Sequence, residues 1–199
     1  MALPQLAGAS DTEIFFESLA LNAPDAGRGR PEDGELLGRY VTELAVAFGA
    51  RAGQLAEQGR MLPGAREALA AAARLPGVIQ TVLTGTIKRN AVQKLRAFGL
   101  DGYLDTEIGG YGSDAYPKGT LIMRSLTMAA DKYRVQTSAV GSVYVADSVR
   151  DVAAAKVGGV RCIGVATGRS TLAELRDGGA DAVFADLSDT SRLIAAIGM

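Results

Sequence analysis

The chain has 199 residues, 48% hydrophobic and 22% charged, with a net charge of −1. That length and balance describe one sizeable domain, or a core with a small appendage, able to bury its own interior without disulfides. The near-neutral charge without a basic block argues against nucleic acid or an anionic membrane as partner, and no apolar run approaches a membrane span; the lack of any histidine removes Ser-His-Asp triads, histidine-bound metals and zinc fingers.

The first residues, Met1 to Gly8, lack the basic flank and apolar stretch of a signal peptide. Ser10-Asp-Thr-Glu13 has the form of a capping box and predicts a helix whose apolar stripe includes Ile14, Phe15 and Leu19. Asn22 to Glu35 is rich in proline, glycine and charge and predicts a loop. Leu37, Val41, Leu44 and Phe48 recur at helical spacing and predict a second helix. Residues 1–60 are thus expected to form a small N-terminal helical region.

From residue 61 the pattern becomes strand–helix alternation. A helix over Gly64 to Arg74 precedes a strand over Val78 to Leu83; a helix over Ile87 to Phe98 precedes a short extended piece near Tyr103 to Ile108. A long helix from Lys118 to Lys132, a strand Ser142 to Ala146 and a helix Val149 to Val157 follow. Next come a strand Arg161 to Ala166, a helix Thr171 to Arg176, a strand Ala182 to Ala185 and a last helix Thr190 to Ile197. Continuous apolar strands alternating with helices predict an α/β fold with a Rossmann-like parallel sheet covered on both faces over residues 61–199. The single cysteine, Cys162, falls inside an apolar strand and reads as a core residue; one unpaired thiol suits a reducing cytoplasm.

Three features stand at predicted strand ends, where open α/β sheets hold their ligands. Thr84-Gly85-Thr86 follows the first strand, where a hydroxyl and free backbone N–H groups can hold phosphate, although helix capping alone explains the threonines more simply. Lys118 lies at the start of a helix, where a cation opposes the helix dipole unless an anion compensates; a solvated surface lysine is the plainer explanation. Asp147 ends a buried strand and Asp151 enters the first turn of the next helix. Capping accounts for either alone, but the two together present hard oxygen ligands for a divalent metal.

The ordered set of Thr81-Val-Leu-Thr-Gly-Thr86, Asn90 to Leu100, Lys118, Val143 to Gly159 and Gly178 to Asp189 resembles the haloacid dehalogenase (HAD) superfamily of hydrolases, most of which are phosphatases. The resemblance covers Leu62 to the C-terminus and, more loosely, the N-terminal helices as the α-helical cap. It implies that Thr84 and the Gly85 amide bind a phosphoryl group, that Lys118 neutralises its charge, and that Asp147, supported by Asp151, holds Mg²⁺. The implied activity is Mg²⁺-dependent hydrolysis of a small phosphorylated metabolite through an aspartyl phosphate. Ala146 departs from the glycine usual before this aspartate, and slight crowding is expected.

The superfamily's first motif, an apolar strand ending in Asp-x-Asp, is missing. Asp11 follows no predicted strand, and Asp186 and Asp189 stand at the far end with the wrong spacing. The central first strand of the sheet is therefore expected to be absent from this chain. Such a strand shares roughly ten ladder bonds with its neighbours, each ~1 kcal/mol net; a domain is stable by only ~5–15 kcal/mol. Another segment, a partner or a rearranged sheet must compensate, and an unfilled gap invites strand exchange into a homodimer. Two expectations compete: a start placed too far downstream, which is preferred, and a non-catalytic pseudoenzyme or phosphate-binding protein. In both, the chain as given lacks its nucleophile and is expected to be inactive. A phosphorelay receiver would place its acids before the threonine and lysine, and no strand leads into a G-x-G-x-x-G turn or a Walker loop.

Overall fold

The computed structural model describes residues 2, 4, 8–23, 31–114 and 119–198. Helices come first: α1 (Asp11–Asn22), α2 (Pro31–Gly49), a 3₁₀ turn Ala52–Gln54, α3 (Leu55–Gln58) and α4 (Ala65–Ala72). The capping box starts α1 as expected: the Glu13 N–H donates to Ser10 Oγ (3.2 Å), and the Ser10 N–H donates to Glu13 Oε2 (2.6 Å). The Phe15 and Tyr40 rings, 5.3 Å apart, pack α1 against α2. The expected loop to Glu35 is too long, because α2 already begins at Pro31, whose fixed φ and missing N–H suit a first helical turn.

Alternation follows: β1 (Leu83–Thr84), α5 (Lys88–Ala97), β2 (Gly110–Tyr111), α6 (Gly119–Tyr133), β3 (Val143–Ala146), α7 (Val149–Gly158), β4 (Arg161–Val165), α8 (Leu172–Asp177), β5 (Ala182–Phe184) and α9 (Thr190–Gly198). All strand pairs are parallel, as the continuous apolar strands required. The fold is the expected α/β class with a parallel, Rossmann-like core.

The sheet is in two pieces. β1 pairs with β2, and β3, β4 and β5 form a second sheet in that order; among the described residues no ladder joins β1 to β3. One apolar cluster nevertheless underlies both pieces, with Leu83 of β1 and Tyr144 of β3 packed on Ile122, Val152 and Ala155 of α6 and α7. A second cluster, Ala68, Ile163, Val165, Phe184 and Leu193, fills the opposite face under α4 and α9.

This split explains where the first strand departs from expectation. Only Leu83 and Thr84 of the predicted Val78 to Leu83 run are assigned as strand. Residues 80–82 do bond toward β2: the Asp105 N–H donates to Gln80 O (2.8 Å), Thr81 Oγ1 to Asp105 O (2.7 Å), and the Gly110 N–H to Val82 O (3.0 Å). On the other side they have no strand neighbour among the described residues, and only a fragment of ladder forms. The extended piece predicted near Tyr103 to Ile108 is a 3₁₀ turn at Asp101–Tyr103, and the pairing strand falls at Gly110–Tyr111.

Cys162 is buried and unpaired, as its apolar setting suggested. Burial first, then the charges of Asp151 and Asp181, push its thiol up to about 12, so it stays protonated.

Candidate phosphate and metal site

A cavity of about 270 Å³ opens between the sheet pieces, lined by Leu83 and Thr84 from β1, Tyr144 to Asp147 from β3, Asp151, Val165, Thr167, Leu62 and Leu187. It sits at the carboxyl ends of both fragments, the position where α/β sheets present ligand-binding groups. Three residues singled out in the sequence, Thr84, Asp147 and Asp151, meet here. Thr84 Oγ1 accepts the Thr86 N–H (3.2 Å), which fixes the hydroxyl oxygen and leaves its proton to donate.

Gly85 lies one residue further on and is not among the residues lining the cavity. Its carbonyl accepts the Asp11 N–H (2.7 Å). A Cβ on Gly85 would stand 2.7 Å from Ser10 Cα, and one on Gly112 only 1.7 Å from Gly85 O. Both positions are glycine because three stretches of backbone cross there. Thr12 Oγ1 donates to Gly112 O in the same crossing. Lys118 lies outside the described residues.

Asp151 is 4% exposed. Tyr144 Oη donates to its Oδ1 (2.9 Å) and Ser148 Oγ to its Oδ2 (2.6 Å), while the Asp151 N–H returns to Ser148 Oγ (3.2 Å). Burial, followed by the adjacent Asp151 charge, holds the Tyr144 phenol protonated far above its ordinary range. Asp151 therefore braces the turn that carries Asp147. Neither Tyr144 nor Ser148 was singled out in the sequence; the signal available was that Tyr144 lies three residues before Asp147 on the same strand and Ser148 sits at the helix N-cap.

Asp147 folds over Gly168 in the turn after β4. A Cβ at Gly168 would be 2.6 Å from Asp147 Oδ2 and 3.0 Å from Asp147 O. The cavity's protein donors are thus a carboxylate and the Thr84 and Thr167 hydroxyls, all hard oxygens. Among the described residues no three His, Cys, Asp or Glu side chains gather as a metal cage. This set fits Mg²⁺, which is commonly held by one or two carboxylates with waters and phosphate oxygens completing its shell.

Asp11, the acid nearest the sequence start with a described side chain, does not reach this cavity. Its Oδ2 accepts the Ile87 N–H (2.8 Å) at the start of α5, and it lines a separate cavity of about 300 Å³ with Phe48, Arg51, Asn90 and Lys94. Burial raises its carboxyl above the usual value, against the Ile87 bond and the Lys94 charge.

A sequence-family model for haloacid dehalogenase-like hydrolases matches residues 13–156. The chain belongs to this family. Curated proteins give no match. Among solved structures, a hydrolase from Pseudomonas syringae is 21% identical over 96% of this chain and 80% of its own, with a TM-score of 0.67. A haloacid dehalogenase-like protein from Agrobacterium tumefaciens is 20% identical over 92% of this chain and 77% of its own, TM-score 0.58. CbbY from Rhodobacter sphaeroides, solved in complex with phosphate, is 19% identical over 92% of this chain and 76% of its own, TM-score 0.58. At these identities the likeness concerns the fold. Among the described residues no helix is long and apolar enough to cross a membrane.

Proposed function

We propose that the cavity between β1 and β3 binds the phosphoryl group of a small phosphorylated metabolite together with Mg²⁺, the substrate-binding half of a HAD phosphatase site. The carrying observation is that Thr84 and Asp147, from separate sheet pieces, line one cavity at the strand ends. Thr84 Oγ donates to a phosphoryl oxygen. Asp147 holds the metal, and Asp151 positions the turn through Tyr144 and Ser148. Mg²⁺, when bound, supplies positive charge against the phosphoryl oxygens. Lys118 adds a second cation on this reading, and Gly85 its backbone amide. Phosphate is present in the CbbY structure and in that of a Deinococcus radiodurans HAD family hydrolase, which supports phosphate as ligand. Residues 1–60 act as cap over the 61–199 core, in a cytoplasmic protein.

An aspartyl phosphate needs a carboxylate free to attack phosphorus. Among the described residues lining the cavity, the carboxylates are Asp147 and Asp151. Asp151 accepts a hydroxyl proton on each oxygen, and Asp147 is assigned to the metal. The chain by itself therefore binds without turning over, and a phosphate-binding pseudoenzyme is the second reading that the same observation favours. Calorimetry with inorganic phosphate is expected to show binding that strengthens with Mg²⁺ and weakens about tenfold or more in Thr84→Val, the loss of one hydrogen bond to a charged group. p-Nitrophenyl phosphate is expected to be hydrolysed only at background. Absence of phosphate binding contradicts the site; Mg²⁺-dependent turnover that Asp147→Ala abolishes contradicts the missing nucleophile.

A further inference from the structure

We propose that the cavity between α2 and α5 binds a free α-amino acid with an apolar side chain, at a site separate from the phosphate cavity. None of its residues lines the cavity that holds Thr84 and Asp147, so it stands apart from the phosphatase reading.

This cavity, of about 300 Å³, is the one that Asp11 lines. Leu44 and Phe48 reach it from α2, Asn90 and Lys94 from α5. A spacing of four residues stacks each pair on one helix face.

Asn90 is the decisive residue. It is 5% exposed and lines the cavity. Its Nδ2 donates to Leu44 O at a long 3.4 Å, and its buried Oδ1 has no hydrogen-bond partner among the described residues. Turning the amide over would only set Oδ1 against the Leu44 carbonyl, acceptor to acceptor. A buried acceptor left unpaired costs its full desolvation, so native folds seldom keep one without a donor.

Asp11 is a second acceptor. Its Oδ2 takes the Ile87 N–H (2.8 Å), and its Oδ1 accepts no bond among the described residues. Burial raises its carboxyl, and neither the Ile87 bond nor the Lys94 charge offsets this fully, which describes a carboxylate short of positive charge.

The donors are Arg51 and Lys94, both exposed. Arg51 Nη1 donates to Ala47 O (3.2 Å), which leaves the rest of its guanidinium to other partners. Lys94 Nζ lies 5.6 Å from the centre of the Phe48 ring. A helix C-terminus accounts for either cation alone. It does not account for two of them on one cavity whose buried acceptor lacks a donor.

Polarity is therefore divided, with acceptors at the more buried Asn90 and Asp11, cations at the exposed side chains, and Leu44 and Phe48 as apolar wall. An α-amino acid matches each part. Its ammonium donates to Asn90 Oδ1 and Asp11 Oδ1, its carboxylate meets Arg51 and Lys94, and its side chain lies on Leu44 and Phe48. Inorganic phosphate brings mainly acceptors to acceptors, and a metal ion meets two cations already in place. The volume is at the lower end for small-molecule pockets, which suits one amino acid rather than a peptide.

Titration calorimetry of the full chain with L-leucine, in buffer free of phosphate and Mg²⁺, tests this. Saturable one-to-one binding is expected. 4-Methylpentanoate, which lacks the ammonium, and 3-methylbutylamine, which lacks the carboxylate, are each expected to bind about tenfold more weakly, the loss of hydrogen bonds to a charged group. Both comparisons use the unaltered protein. Asn90→Leu is expected to lose about tenfold in affinity for L-leucine while its ligand-free Tm stays at or above that of wild type, because the substitution removes an acceptor that the fold leaves unpaired. Absence of binding, which would leave water alone to serve Asn90, overturns the proposal. So do equal affinities for the three compounds, an Asn90→Leu protein with wild-type affinity, or displacement of L-leucine by inorganic phosphate.

Discussion

Asp151→Ala is expected to lower the unfolding free energy by about 2–3 kcal/mol, while Asp151→Asn costs about 1 kcal/mol. The alanine strips the partner from the buried Tyr144 hydroxyl and from Ser148 Oγ together. A buried donor left unsatisfied carries its full desolvation cost, about 1–3 kcal/mol. Relief of the buried carboxylate offsets part of this, which is why the expected loss stays below that of a broken buried ion pair. Asparagine keeps the shape and an acceptor for Tyr144. Urea unfolding of the three proteins measures the difference. An alanine variant within about 0.5 kcal/mol of wild type would show the Tyr144–Asp151–Ser148 group to be ornamental, since that is the range of ordinary surface substitutions.

Gly168→Ala is expected to weaken Mg²⁺ binding at least tenfold while leaving stability within about 1 kcal/mol of wild type. The added methyl would lie 2.6 Å from Asp147 Oδ2. A carboxylate at the end of a rotatable side chain turns aside cheaply, so the fold survives, but the oxygen leaves the position from which it meets the metal. Asp147→Ala is expected to bind no Mg²⁺ in the same titration. Calorimetry with MgCl₂ in the presence of inorganic phosphate separates the cases. A Gly168→Ala protein with wild-type affinity removes Asp147 from the metal site.

The family, the α/β class and the three cavity residues Thr84, Asp147 and Asp151 were legible because each depends on local pattern: apolar runs of strand length, then a polar residue at the turn. The α1 start was legible for the same reason, the capping box being complete within Ser10 to Glu13. What stayed hidden depends on partners distant in the chain. Gly168 reads as an ordinary turn glycine until β4 brings it under Asp147. Tyr144 reads as a core strand residue until α7 returns Asp151 to its hydroxyl. The shortening of β1 was hidden differently: Val78 to Leu83 has good strand composition, but a strand needs neighbours, and here one side has none among the described residues.

The whole account depends on Thr84 and Asp147 acting on one ligand. Amide chemical shifts of the ¹⁵N-labelled chain, recorded while Mg²⁺ and inorganic phosphate are added together, test this directly. The expected perturbations cluster at residues 84–86, 147–151 and 167–168, and those at 147–151 shrink when Mg²⁺ is left out. Shifts gathered around Asp11, Arg51 and Lys94 instead, or scattered over the surface, would contradict it.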